Sequence, residues 1–113
     1  MRIALFHDGD PRLPRLRREL SALGHEVLVV GPRVSLVRLS ALFDERRPDV
    51  LHGLGRGPIA QLLTALWAKK LAPLGTRRAH DVEGVVGDVD AIIDGSLVGE
   101  HLVERYFGLL RLR

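Results

Sequence analysis

Apolar and polar positions along this chain come in blocks. Ile3-Ala4-Leu5-Phe6 runs without a polar interruption and ends in His7-Asp8-Gly9-Asp10. Val27-Leu28-Val29-Val30 repeats the pattern and ends at Gly31-Pro32, and Pro48-Asp49-Val50-Leu51-His52-Gly53 opens a third glycine-rich loop. Between these runs Leu13, Leu16, Leu20 and Leu23, and then Leu36, Leu39, Leu42 and Phe43, recur at helical spacing. Short apolar runs separated by amphipathic helices describe parallel strands buried on both faces.

Punctuation residues set the boundaries. The first strand is Arg2 to Phe6; Asp10 caps the next helix and Pro11 takes its first position. Gly24 ends that helix, and Val27 to Val30 is the second strand. Ser35 caps a second helix, and Asp49 to His52 is the third strand. Gly53, Gly55, Gly57 and Pro58 form a loop before a third helix, Ile59 to Leu71, that is apolar nearly all round. Thr76 to His80 stands where a fourth strand belongs, but Arg77-Arg78 make it polar for a strand buried on both faces. A polar stretch, Asp81 to Asp88, leads to a fifth strand, Asp90 to Asp94. Ser96 then caps a last helix, Leu97 to Phe107, which Gly108 should stop. Right-handed crossovers reduce the arrangements to one α/β domain over residues 1–108, a three-layer sandwich. Its five-stranded, mainly parallel sheet has the order 2-1-3-4-5, and a tail follows over 109–113.

Composition narrows the class. A chain of 113 residues suffices for one core, and the absence of cysteine excludes thiolate metal sites and disulfides. No apolar run approaches the ~20 residues of a membrane span, and Met1-Arg2-Ile3 leads directly into a strand, so the expected location is the cytoplasm. Net charge is +3, with Arg12, Arg15, Arg17 and Arg18 on the first helix, read as a solvated face that can touch an anionic membrane surface. Aromatic residues make up 4% of the chain, too few for a base-stacking platform, which argues against nucleic acid.

A parallel sheet of this order binds ligands beyond the carboxyl ends of its strands, at the reversal between strands one and three. The candidate ligand-binding residues there are His7, Asp8, Gly9, Asp10, His52, Gly53, Gly55 and Arg56. The glycines let backbone approach a ligand, and the following helix offers N–H groups to an anion; a loop that simply needs room to turn has the same composition. Gly53-Leu54-Gly55-Arg56-Gly57 lacks the dinucleotide spacing and the Walker lysine. His7, His52 and His80 each end a strand, which suits hydrogen bonding at a crevice or a structural role. Their spacing is not that of a metal site, and no metal or cofactor is expected. A phosphoacceptor receiver domain needs an Asp where His52-Gly53 stand, and His7-Asp8-Gly9-Asp10-Pro11 makes a poor flavin phosphate loop.

Five phrases, in order, resemble one family. Met1-Arg2-Ile3-Ala4-Leu5-Phe6, Leu20-Ser21-Ala22-Leu23-Gly24-His25-Glu26-Val27, Arg47-Pro48-Asp49-Val50-Leu51-His52-Gly53, His80-Asp81-Val82-Glu83 and Val89 to Ser96 with Glu100 to Tyr106 are similar to the N-terminal, acceptor-side, Rossmann-like domain of GT-B glycosyltransferases of the family 4 type. The resemblance implies one half of a split or truncated nucleotide-sugar-dependent transferase, inactive until a donor-binding domain completes it. It places Asp8 to Asp10 and His80 in the cleft, with His80 in the catalytic position, and implies a nucleotide sugar or a lipid-linked acceptor as ligand. The first loop departs from the family in keeping only Gly9 of its paired glycines. The alternative is a non-catalytic, self-associating module that uses Tyr106, Phe107, Leu109, Leu110 and Leu112 as an apolar face.

Overall fold

The computed structural model describes residues 1–111. Five strands, β1 (Arg2–Phe6), β2 (Glu26–Val30), β3 (Val50–Gly53), β4 (Arg77–His80) and β5 (Ala91–Ile92), form one sheet in the order β2-β1-β3-β4-β5, every pair parallel. Four helices, α1 (Leu13–Ala22), α2 (Leu36–Glu45), α3 (Pro58–Leu71) and α4 (Gly99–Leu110), cover it. This is the α/β, Rossmann-like architecture that the block pattern of the sequence predicts.

Strand alternation divides the core in two. Ile3, Leu5, Val50 and Ala79 face α1 and α4, where Leu16, Leu20, Leu102, Tyr106 and Leu109 close over them. Ala4, Phe6, Leu28, Val30 and Leu51 face α2 and α3, where Leu39, Phe43, Trp67 and Leu71 pack. Phe43 sits edge-on to both Phe6 and Trp67, at 6.3 and 5.3 Å between ring centroids. Gly24, at φ +86°, ends α1 in a Schellman turn, His25 N–H bonding Leu20 and Gly24 N–H bonding Ser21.

Several boundaries move for identifiable reasons. Asp10 opens a turn rather than capping α1: its Oδ1 accepts from Arg12 N at 2.9 Å, and the helix begins at Leu13. Ser35 does cap α2, accepting from Arg38 N. Ser96 does not cap α4, because its N–H and hydroxyl both donate to Asp94 Oδ1. Glu19 of α1 reaches across instead and accepts from Gly99 N at 3.0 Å. Gly108 does not stop α4, which continues so that Leu109 can fill the core. Of the apolar face expected for self-association, Tyr106 and Leu109 are thus buried in their own domain; Leu112 lies outside the described residues.

β4 forms in spite of its two arginines, pairing with both neighbours, and the run expected as β5 shortens to two residues. α3 is amphipathic after all. Ala60, Thr64, Trp67 and Leu71 are buried, while Ile59, Leu62 and Leu66 are exposed. No helix among the described residues is long and apolar enough to cross a membrane.

Candidate functional site: the carboxyl-edge crevice

The loops after β1 and β3 meet beyond the strand ends, at the switch point the topology predicts. Asp8, Gly9 and Asp10 form one side of a shallow crevice of about 130 Å³, and Leu54, Gly55, Arg56 and Gly57 form the other. Of the expected ligand-binding residues, the crevice therefore gathers Asp8, Gly9, Asp10, Gly55 and Arg56.

Arg12 holds the rim together. Its Nε donates to Asp10 Oδ1 at 3.0 Å, its Nη2 to Asp10 Oδ2 at 2.7 Å, its Nη1 to the Gly95 carbonyl at 3.1 Å, and Nη2 also pairs with Asp81. Asp81, whose side chain is nearly enclosed, spends its other oxygen on Gly55 N at 2.8 Å. One guanidinium and two carboxylates thus tie together the segments that follow β1, β3, β4 and β5. The pairing with Arg12 holds the Asp10 carboxyl below the usual carboxylate range, and the Arg12 guanidinium is held more firmly protonated, chiefly by Asp10. Charge alone does not single out Arg12 among the arginines of the first helix; the readable signal is Asp10-Pro11-Arg12, an Asx turn that returns its own arginine to the carboxylate.

The second carboxylate contact concerns α3. Helix N-termini attract anions because their first N–H groups are unpaired. Here Pro58 carries no N–H, and Asp8 Oδ2 accepts from Ala60 N at 3.1 Å. A Cβ on Gly57 would collide with that carboxyl, so the close approach depends on glycine. Two of the N–H groups expected to meet a phosphate, Gly55 and Ala60, are engaged by Asp81 and Asp8, both supplied by the chain itself. Asp8 and Asp10, facing the exposed Arg56, make the crevice an acceptor of hydrogen bonds rather than a cradle for a phosphate.

The histidines lie at the expected strand ends but outside the crevice. His7 Nδ1 accepts from Gly9 N at 2.9 Å and shapes the first loop. His52, 3% exposed, points toward α4, where its Nδ1 meets the Tyr106 hydroxyl at 2.5 Å. With that hydroxyl donating, the ring proton sits on Nε2, which has no partner. Burial pushes the Tyr106 phenol upward and the His52 imidazole down to about 4. His80, assigned by the resemblance to the cleft, is fully buried on the opposite face of the sheet, directly beside Gly53, where any Cβ would strike its ring. Arg78 Nε donates to His80 Nε2 at 2.9 Å, which places the ring proton on Nδ1, also without a partner. Burial, then the neighbouring guanidinium, brings His80 to about 4 as well. Both imidazoles are neutral at pH 7, and neither meets solvent. Gly53 is accordingly a packing glycine. Among the described residues, no cluster of His, Asp and Glu has the geometry of a metal site.

Models of known protein families give no match to this chain, and neither do curated protein sequences.

Proposed function

We propose that this chain is the acceptor-side domain of a GT-B-like sugar-transfer fold and that it holds a hydroxyl-rich acceptor between Asp8–Asp10 and Gly55–Gly57. The carrying observation is that one N–H of the glycine loop, Gly55, and one of the α3 N-terminus, Ala60, already have carboxylate partners. Hydroxyl groups donate to carboxylates, whereas a diphosphate would be repelled by them. The sheet order and the five sequence phrases agree with this half of the fold. The donor's nucleotide and diphosphate belong to a donor-binding domain, on this chain or another, which would supply most of the binding energy and exclude water. Arg12 and Asp81 act as positioning residues that hold the two loops at a fixed separation.

The test is to incubate the 113-residue chain with an array of oligosaccharides and, separately, with nucleotide sugars. Saccharide binding without nucleotide-sugar binding or hydrolysis is the expected outcome. Binding of nucleotide sugars, with saccharides ignored, contradicts the proposal.

A second reading, a non-catalytic module that self-associates, draws on a different surface. Ile59, Leu62 and Leu66 form an exposed apolar stripe along α3. Sedimentation at micromolar concentration decides it: a dimer dispersed by Leu62→Glu supports this reading, and a monomer ends it.

A further inference from the structure

The Arg78 guanidinium is buried and only partly satisfied. It is 2% exposed, its Nε is committed to His80 and its Nη1 to the Asp88 carbonyl at 3.2 Å, and its Nη2 is buried without a partner. Buried guanidinium groups ordinarily meet a carboxylate. Asp90 instead accepts from the Arg78 backbone N–H at 2.7 Å and pairs with Arg77.

The surroundings of Arg78 leave room beside it. The β4–β5 connection, residues 81–90, contains no helix, so a groove of about 310 Å³ remains between it and α3. Ala65, Ala68 and Ala72 form an apolar wall, Arg78 lines the groove, and Lys69 and Asp88 flank it. The turn at Gly87, at φ +84°, lies close over the guanidinium, where a Cβ would press on Nη1. Lifting that turn breaks no strand or helix.

We propose that this groove binds a small carboxylate with an apolar body, its carboxylate on Arg78 Nη2 and its hydrocarbon along the alanine wall. A monoanion fits better than a phosphate for two reasons. A single guanidinium nitrogen is free, and the Asp88 carboxylate lining the same groove opposes a dianion. The site shares no residue with the carboxyl-edge crevice and is independent of the function proposed for it.

Amide NMR of the full chain, titrated with hexanoate, hexanol or inorganic phosphate, tests this. Hexanoate should produce saturable shifts at Ala65, Ala68, Ala72 and Gly87, with hexanol at least about tenfold weaker because it cannot form the charge-assisted bond. Ala68→Leu, which fills the groove from its outer wall, should abolish the response while the melting temperature holds. Arg78→Met should abolish it too; if that variant does not fold, the hexanoate–hexanol comparison and Ala68→Leu decide. Equal responses to hexanoate and hexanol, binding of phosphate in preference to hexanoate, shifts elsewhere in the chain, or no shift at all would overturn the proposal.

Discussion

Lowering the pH should destabilise this domain earlier than its carboxylates alone would. His52 and His80 are each brought to about 4 in the folded chain, against about 6.5 for a free imidazole. A depressed imidazole pKa means that the unfolded chain binds protons first. Stability is therefore full above about pH 6.5, falls as the pH drops toward 4, and loses nothing further from these groups below that. At pH 5, about 1.5 pH units below the free value, each ring costs about 2 kcal/mol, and the pair about 4. That is a large part of the ~5–15 kcal/mol typical of a domain. At His80 the geometry reinforces the loss, because a proton on Nε2 removes the acceptor of Arg78 Nε and sets two cations together. Asp10, held low by Arg12, adds its own loss only below its ordinary carboxylate pKa, at still lower pH. Urea unfolding followed by circular dichroism across this range measures the slope. The double variant His52→Asn, His80→Gln keeps an acceptor for Tyr106 and for Arg78 and should flatten it. A wild-type midpoint unchanged between about pH 7 and pH 5, or the same slope in the double variant, would show that the two imidazoles do not set the acid sensitivity.

Three further outcomes follow from single contacts. Tyr106→Phe leaves His52 Nδ1 buried without its hydroxyl and should cost about 1–3 kcal/mol in urea unfolding. Gly53→Ala drives a methyl group into the His80 ring and should cost about 1–3 kcal/mol or prevent folding, seen as a lowered melting temperature. Asp81→Ala releases both Arg12 and Gly55 N, so hydrogen exchange at the Gly55 amide should accelerate by about tenfold or more while amides within β1 keep their protection.

The sheet was legible in the sequence because its evidence is local. Uninterrupted apolar runs, Gly24 after α1 and Ser35 before α2 each act within a few residues. β4 was harder to read, since Arg78 enters a strand buried on both faces with its guanidinium held by His80, two residues on, and by the Asp88 carbonyl of the following loop, which only folding brings to it. The start of α4 was misplaced for the same kind of reason, its cap being Glu19, 80 residues away in sequence. The crevice was legible as two loops at a switch point. What they do with their N–H groups was not, because Asp8 meets Ala60 and Asp81 meets Gly55 only after folding. The histidines show the limit of position alone: His52 and His80 end adjacent strands, yet consecutive register places their rings on opposite faces.

Acceptance of hydroxyl groups by the carboxyl-edge crevice is what the proposed function stands on. The most direct measurement is amide NMR of the chain titrated with the strongest saccharide from the array, beside an Asp8→Asn, Asp10→Asn variant. Shifts concentrated at residues 8–10 and 54–57, lost in the variant, are predicted; shifts remote from both loops, or unchanged in the variant, would contradict it.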